Sequence, residues 1–193
     1  MAVLVAVLAA AAPAAAVVRI TFMSRDFGSY YPHAFVALSG AMDAAPATPV
    51  DANYGFSARS IGPGILVGPV RGTIFSESAA YLAGSERHFS MMLSDDQYRL
   101  VMGIVADWQG LPGRSYEMHR HNCVSFVKAV AEALGLKADH ADDLMMKPRS
   151  FLDEVALENP GAIDTSDAYV PKLDAARRAA ERHSAPQAAA RAN

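Results

Sequence analysis

The chain has 193 residues, of which 52% are hydrophobic and 19% are charged, and its formal net charge is −3. This composition supports the core of one ordinary domain with extra residues at both ends. The small negative charge gives no sign of a nucleic-acid or anionic-membrane partner. A single cysteine excludes an internal disulfide and any zinc motif built from several cysteines.

The two ends of the chain differ in composition from the middle. Residues 1–16 read MAVLVAVLAAAAPAAA, an apolar stretch whose small terminal residues fit a signal-peptide cleavage site. The stretch is too short and too rich in alanine for a membrane span. We therefore expect a signal peptide over residues 1–16 and an exported mature protein that begins near Val17; a disordered leader is the alternative. Residues 171–193 have almost no large apolar side chains and predict a low-complexity tail, which leaves residues 17–170 as the folded domain.

The first half of the domain has the composition of strands. β-Branched or continuously apolar runs, separated by turn-rich sequence, predict strands over residues 17–23, 33–40, 50–58 and 87–93. Residues 64–75 predict one or two short strands bent at Gly68-Pro69, and residues 76–84 predict a short helix.

The second half has a helical period. Ser94 followed three residues later by Gln97 forms a capping-box pattern, and the apolar face behind it predicts a helix that ends near Gly110. Asn122 is a good N-cap for a second helix that Gly135 would close, and residues 148–158 predict a third helical segment. Strands first and helices after predict an α+β fold, in which helices pack on an antiparallel sheet.

The only cysteine stands at the predicted head of the second helix. Cys123 follows the cap Asn122, and apolar residues continue its face along the helix. Unpaired N–H groups and the helix dipole at this end favour a thiolate, which is the nucleophilic form of cysteine. The position therefore suits a catalytic cysteine. A buried structural cysteine is the equally open alternative from position alone.

A metal site is a further alternative for the same stretch. His119, His121 and Cys123 alternate, and histidine with cysteine is a reasonable ligand set for zinc or copper. The predicted helix at Cys123 breaks the alternation, and three ligands within five residues make a cramped site. We therefore predict no metal and no cofactor, and expect both histidines to be solvated or to support the site indirectly.

A cysteine nucleophile needs a base from elsewhere in the chain. His33 opens an apolar strand, where a polar ring needs a hydrogen-bond partner, whereas His88 is expected to be exposed. The next strand offers Asp51 and Asn53 on one face as groups to orient the imidazole, and Asn53, deeper in the strand, is preferred. A satisfied structural histidine is the alternative for His33.

Together these residues resemble a known family. A histidine at the head of an early strand, a polar residue on the next strand and the NCVSFV run at the head of a late helix are similar to the circularly permuted NlpC-type papain-like hydrolases. NCVSFV is close to the NCEHFV of the lecithin:retinol acyltransferase group among them, and Tyr116 fits the aromatic residue often found upstream. That group usually carries a second histidine at the position of Asn53, and Val124-Ser125 replace its Glu-His.

The resemblance implies a permuted papain-like arrangement with Cys123 as nucleophile, His33 as base and Asn53 as the third polar residue. It implies acyl transfer from an amide or ester carbonyl, and export favours peptide amides of cell-wall fragments as substrates. A lipid-directed thiol acyltransferase or esterase is the second hypothesis. A non-catalytic binding protein that keeps the fold is the third.

Overall fold

The structure is a computed structural model that describes residues 17–26, 31–60, 62–139 and 144–168. Its centre is a five-stranded antiparallel sheet with the strand order β4-β3-β2-β1-β5. The strands are β1 (Val18–Arg25), β2 (His33–Met42), β3 (Ala45–Ala58), β4 (Gly72–Phe75) and β5 (Glu86–Leu93).

Five helices accompany the sheet: α1 (Gly64–Val67), α2 (Ala79–Ala83), α3 (Asp95–Gln109), α4 (Cys123–Ala133) and α5 (Pro148–Glu158). The helices α4 and α5 pack against the central strands, and α3 packs against α4 and the outer strands. Among the described residues, no helix has the length and apolar character needed to cross a lipid bilayer. The α+β class and the antiparallel sheet are confirmed.

The core lies between the sheet and these three helices. Alternate residues of β2, such as Val36 and Leu38, belong to it together with Phe126 of α4 and Phe151 of α5. Phe35 points to the other face of the sheet, because side chains alternate along a strand, and its ring lies 5.9 Å from that of Tyr81 in α2. Side chains at the beginning of β2 therefore face the helical core on one side of the sheet and α2 on the other, and the candidate site lies at this end of the strand.

Several predicted elements differ from the observed ones. The strand predicted from residue 50 begins at Ala45, so that the segment read as a loop is part of a long β2–β3 hairpin. Residues 64–67 form the short helix α1 rather than a strand, and only Gly72–Phe75 of that region is a strand. The capping box of Ser94 with Gln97 is confirmed, with Gly110 at the C-cap. The predicted signal peptide and the predicted tail lie outside the described residues.

Candidate active site

The helix that carries the cysteine begins as predicted. The side-chain oxygen Oδ1 of Asn122 accepts hydrogen bonds from the N–H groups of Val124 at 2.8 Å and Ser125 at 3.3 Å. The Asn122 N–H donates to Ser125 Oγ at 2.7 Å, which completes a capping box. Two orphan donors of the first turn are thereby satisfied, and Cys123 is fixed as the first helical residue.

Asn122 also fastens the surroundings of the cysteine. Its Nδ2 donates to the carbonyl oxygens of Met118 at 2.6 Å and Met145 at 2.7 Å. These two methionines lie on opposite sides of Cys123 in sequence, and both line the cavity into which the thiol faces. One buried amide therefore sets the helix start and two walls of the cavity.

The thiol of Cys123 lies at the beginning of β2. The main-chain N–H groups of Ala34, Val124 and Cys123 itself all favour the charged form of the sulfur. Ala34 directly follows His33, and both Cys123 and His33 line a cavity of about 450 Å³. The structure thus brings together the two residues that the sequence singled out as nucleophile and base.

Burial decides the resting charges of this pair. Burial raises the pKa of the Cys123 thiol to about 11, although the three N–H groups act in the opposite direction. Burial also lowers the pKa of His33 to about 4. The expectation that the helix head would give a thiolate is therefore wrong for the resting protein, because removing the sulfur from water outweighs the helix N-terminus. At neutral pH the structure contains a neutral thiol and a neutral imidazole.

The imidazole of His33 lies against Gly55 of the strand β3. A Cβ atom added to Gly55 would come within 2.3 Å of His33 Nε2, so only glycine leaves room for the ring in this position. The ring also stacks on Phe35, with 5.9 Å between centroids and 17° between planes. Nε2 is buried and has no hydrogen-bond partner among the described residues. A buried, unpaired nitrogen is unusual and points to a functional position.

The nearest charged group to that nitrogen is the carboxyl group of Glu77. Glu77 Oε1 lies 3.9 Å from His33 Nε2. This distance is longer than a hydrogen bond, and a small shift of either side chain would bring the two atoms into hydrogen-bond contact. Burial raises the pKa of Glu77, and the nearby Arg25 partly offsets that effect. Since His33 is neutral at neutral pH, this contact is not an ion pair in the resting protein. Glu77 is the residue of the site that sequence reasoning missed.

Asn53 supports Glu77 rather than the imidazole. Asn53 Oδ1 accepts from the Glu77 N–H at 2.5 Å, and Asn53 Nδ2 donates to the Glu77 carbonyl at 3.0 Å. Because both ends of the amide are used in this way, the direct contact expected between Asn53 and His33 is absent from the structure. Asp51, the alternative candidate, is exposed and lines a different cavity together with Arg19 and Asp164.

Tyr116 completes the polar part of the cavity. It is buried, and an isolated bridge pairs its main chain with Val70. Burial raises the pKa of Tyr116, and a charge on Cys123 would raise it further. Its hydroxyl group therefore stays protonated at any ordinary pH and can donate a hydrogen bond in the cavity that Cys123 also lines.

The two histidines before Cys123 do not join the thiol. His121 stacks on Trp108, with ring centroids 4.4 Å apart, and its Nδ1 pairs with the carbonyl of Ser115 at 2.7 Å. His119 is exposed. The part of the chain that the structure describes contains no group of three histidine, cysteine or acidic side chains placed to hold a metal ion. The remaining histidines of the chain, His140 and His183, lie outside the described residues.

His88, expected to be exposed, is completely buried. A register shift between β1 and β5 gives β5 one extra residue at His88, and such a bulge redirects a side chain. Its Nε2 pairs with Ser24 Oγ and its Nδ1 with Asp153 Oδ1, both at 2.8 Å. The connectivity is that of a serine hydrolase triad, but Ser24 and His88 have no exposed surface, so no substrate reaches the hydroxyl. The three residues tie α5 to the sheet.

Comparisons with protein-family models, with curated proteins and with solved structures found no match for this chain.

Proposed function

We propose that the chain is a thiol-dependent acyl hydrolase in which Cys123 is the nucleophile and His33 the base. The observation that supports this most directly is that Cys123 and His33 line the same cavity, with Cys123 as the first residue of α4 and His33 as the first residue of β2. A cysteine and a histidine that line one cavity, with a third polar group next to the histidine, are the groups that covalent catalysis by cysteine uses.

The proposed reaction begins from the neutral pair. His33 removes the thiol proton as the sulfur attacks an amide or ester carbonyl, so that charge forms only when substrate is present. The imidazolium then protonates the leaving amine or alcohol, and the acyl group stays on Cys123 as a thioester. A water molecule, deprotonated by His33, releases the acid and restores the thiol.

Two groups are suited to hold the developing oxyanion. The Cys123 N–H at the helix start is one donor, and the hydroxyl of Tyr116, which lines the same cavity, is the other. Glu77, held by Asn53, takes the orienting role behind the imidazole. When Nε2 carries the hydrogen of the neutral ring, Nδ1 is free to take the thiol proton, and the Glu77 carboxyl group 3.9 Å from Nε2 is placed to accept the Nε2–H once the ring becomes charged.

The same features support the finer fold assignment. We propose a permuted papain-like arrangement, because the base lies at the head of an early strand and the nucleophile begins a later helix packed on the same sheet. Together with the signal peptide predicted for residues 1–16, this favours an exported enzyme. Peptide amides and lipid esters are the two substrate classes for its acyl group.

The test is a comparison of variants on panels of short wall peptides and lipid esters. Cys123→Ala is expected to abolish turnover, and His33→Ala is expected to lower it by about 10²- to 10⁴-fold, the contribution typical of a general base. His119→Ala is the matched control, because this exposed histidine lies in the same segment and outside the cavity; its turnover should equal that of wild type.

A non-catalytic binding protein is the second candidate, since a neutral, buried thiol is also what a structural cysteine has. It predicts that wild type turns over none of the substrates and that Cys123→Ala binds the same ligands as wild type. Either full turnover by Cys123→Ala or a complete lack of turnover by wild type would overturn the hydrolase.

A further inference from the structure

The large apolar side chains that reach solvent are concentrated around one opening. Seven such residues are exposed among those that the structure describes, and five of them lie on or beside the cavity of Cys123. We name these five the apolar rim: Tyr31, Leu66, Val67, Phe75 and Met146. Single exposed apolar residues are common on protein surfaces, but a cluster around a cavity marks a surface for another apolar partner.

The most exposed part of the rim is the short helix α1. Leu66 is 70% exposed and Val67 is 85% exposed, whereas the preceding residue Ile65 is buried in the cavity wall. The helix therefore has one side chain inside the molecule and two that project outward at the mouth. Pro63 and Pro69 flank it in sequence and restrict its backbone.

The charge near α1 is positive, in contrast to the chain as a whole. Residues 59–75 contain two arginines, Arg59 and Arg71, and no acidic residue. The two are joined by a main-chain hydrogen bond of 2.8 Å, and Arg114 Nε donates to the Pro69 carbonyl. All three arginines are exposed. Although the net charge of the chain is −3, three exposed arginines therefore belong to the segments that contain or contact the neighbourhood of α1.

From this combination we propose that the apolar rim docks on an anionic lipid surface, with Leu66 and Val67 inserted between the headgroups and the arginines paired with phosphates. Apolar insertion with a basic surround is how peripheral proteins hold to such surfaces, and each arginine near the surface contributes independently.

Docking in this way would place the mouth of the cavity on the lipid. The lining is rich in flexible or aromatic apolar side chains, among them Met118, Met145 and Phe75, which suit a hydrocarbon chain better than a charged peptide. Combined with the proposed function, on which this step rests, the substrate is an ester or amide whose acyl chain enters the cavity from the membrane. The docking itself does not depend on the chemistry.

The experiment is sedimentation of the full chain with vesicles of phosphatidylcholine alone and of phosphatidylcholine with phosphatidylglycerol. Wild type is expected to bind the anionic vesicles more tightly, and added salt should reduce that preference. Leu66→Ser with Val67→Ser should weaken binding about tenfold or more, from the loss of apolar burial. Each of Arg59→Gln, Arg71→Gln and Arg114→Gln should weaken it about fivefold on anionic vesicles only.

Matched controls come from the same protein. Met92 and Leu100 are the two remaining large apolar residues that are exposed among those described, at 55% and 46%; they lie on β5 and α3, and neither lines the cavity of Cys123. The double variant Met92→Ser, Leu100→Ser should bind like wild type. Because all variants keep the same ends, any contribution of residues 1–16 cancels in the comparison. Thermal unfolding of the Leu66 and Val67 variant should match wild type, since both side chains project into solvent.

Cys123→Ala separates the two proposals. If this variant binds vesicles like wild type while wild type hydrolyses nothing, the docking surface stands and the proposed function fails. Absence of vesicle binding, equal losses in the Met92 and Leu100 control, or a self-association that the Leu66 and Val67 variant abolishes without any lipid effect would each overturn the docking surface.

Discussion

The side-chain amide of Asn53 spans the main chain of Glu77, accepting from its N–H at 2.5 Å and donating to its carbonyl at 3.0 Å. This pair of bonds fixes a residue that lies between β4 and α2, where no strand or helix would otherwise hold it. The carboxyl group so fixed is the one that faces the buried nitrogen of His33. Asn53 on β3 thus acts on the imidazole of His33 indirectly, by positioning Glu77.

The first prediction concerns this support. Asn53→Ala leaves the Glu77 N–H and carbonyl without their partner, so we expect a loss of about 1–3 kcal/mol in the free energy of unfolding. We also expect kcat to fall about tenfold with little change in KM, because the carboxyl group no longer orients the imidazole. Glu77→Gln should show the same kcat effect with full stability. Asp51→Ala, on the same strand but in the other cavity, is the control and should match wild type in both assays.

The sequence was informative where local chemistry decides the structure. Asn122 and Ser94 cap helices through bonds to residues two and three positions away, and such short-range patterns can be read directly. The early part of β3 contains Pro46 and Pro49, which make this sequence turn-rich, and the predicted strand therefore begins only at residue 50. The strand β4 pairs only with residues 55–58 of β3, so the earlier part of β3 has β2 as a neighbour on one side and no strand on the other. Pro46 and Pro49 lie in this earlier part, where a missing N–H costs little because one edge of the strand is open.

The rest of the site depends on contacts that are distant in the chain. The positions of Glu77, Asn53 and His33 in the sequence do not indicate that these residues are in contact. The contacts form only when β2, β3, β4 and the segment after β4 have come together in the fold. His88 was misjudged for the same reason: the bulge that buries it arises from the pairing of β1 with β5, which the strand's own residues do not reveal. Burial also decides the thiol's pKa, and burial cannot be read from the position of Cys123 at a helix head.

The second prediction tests the room left for the imidazole. Gly55→Ala would place a methyl group 2.3 Å from His33 Nε2 and 3.0 Å from Phe35 Cβ. The ring must then leave its present position, and we expect turnover to fall about 10²-fold, as for a misplaced catalytic group. Gly103→Ala is the control, since the added atom meets nothing within 4 Å on the surface of α3. Normal turnover by Gly55→Ala would show that the ring position is not needed.

The third prediction concerns the reactivity of the free thiol. Burial raises the pKa of Cys123 to about 11, so the thiolate fraction falls as pH decreases from that value and is small at neutral pH. Iodoacetamide should therefore modify Cys123 more slowly than free cysteine at pH 7, with a rate still rising above pH 9. Mass spectrometry of timed samples measures the rate. A plateau already reached below about pH 8.5 would indicate a preformed thiolate and contradict the neutral pair.

The fourth prediction concerns acid stability. The pKa of His33 is about 4 in the folded protein, below its ordinary value of 6.5, so between these values the unfolded chain binds a proton that the folded protein does not. The stabilisation is present above pH 6.5 and is lost as pH falls toward 4, by roughly 3 kcal/mol. Urea unfolding of wild type and His33→Gln at pH 7 and pH 4.5 gives the difference. If the free energy of unfolding falls by the same amount in wild type and in His33→Gln between pH 7 and pH 4.5, then His33 does not cause the loss of stability in acid.

The most direct test of the account is the mass of the intact protein during reaction with an activated acyl ester. We predict that wild type gains the mass of one acyl group, that peptide mapping places it on Cys123, and that it disappears as the acid is released. His33→Ala should acylate far more slowly at neutral pH, and His119→Ala should behave like wild type. An acyl group on another residue, or equal acylation of wild type and His33→Ala, would contradict the pairing of Cys123 with His33.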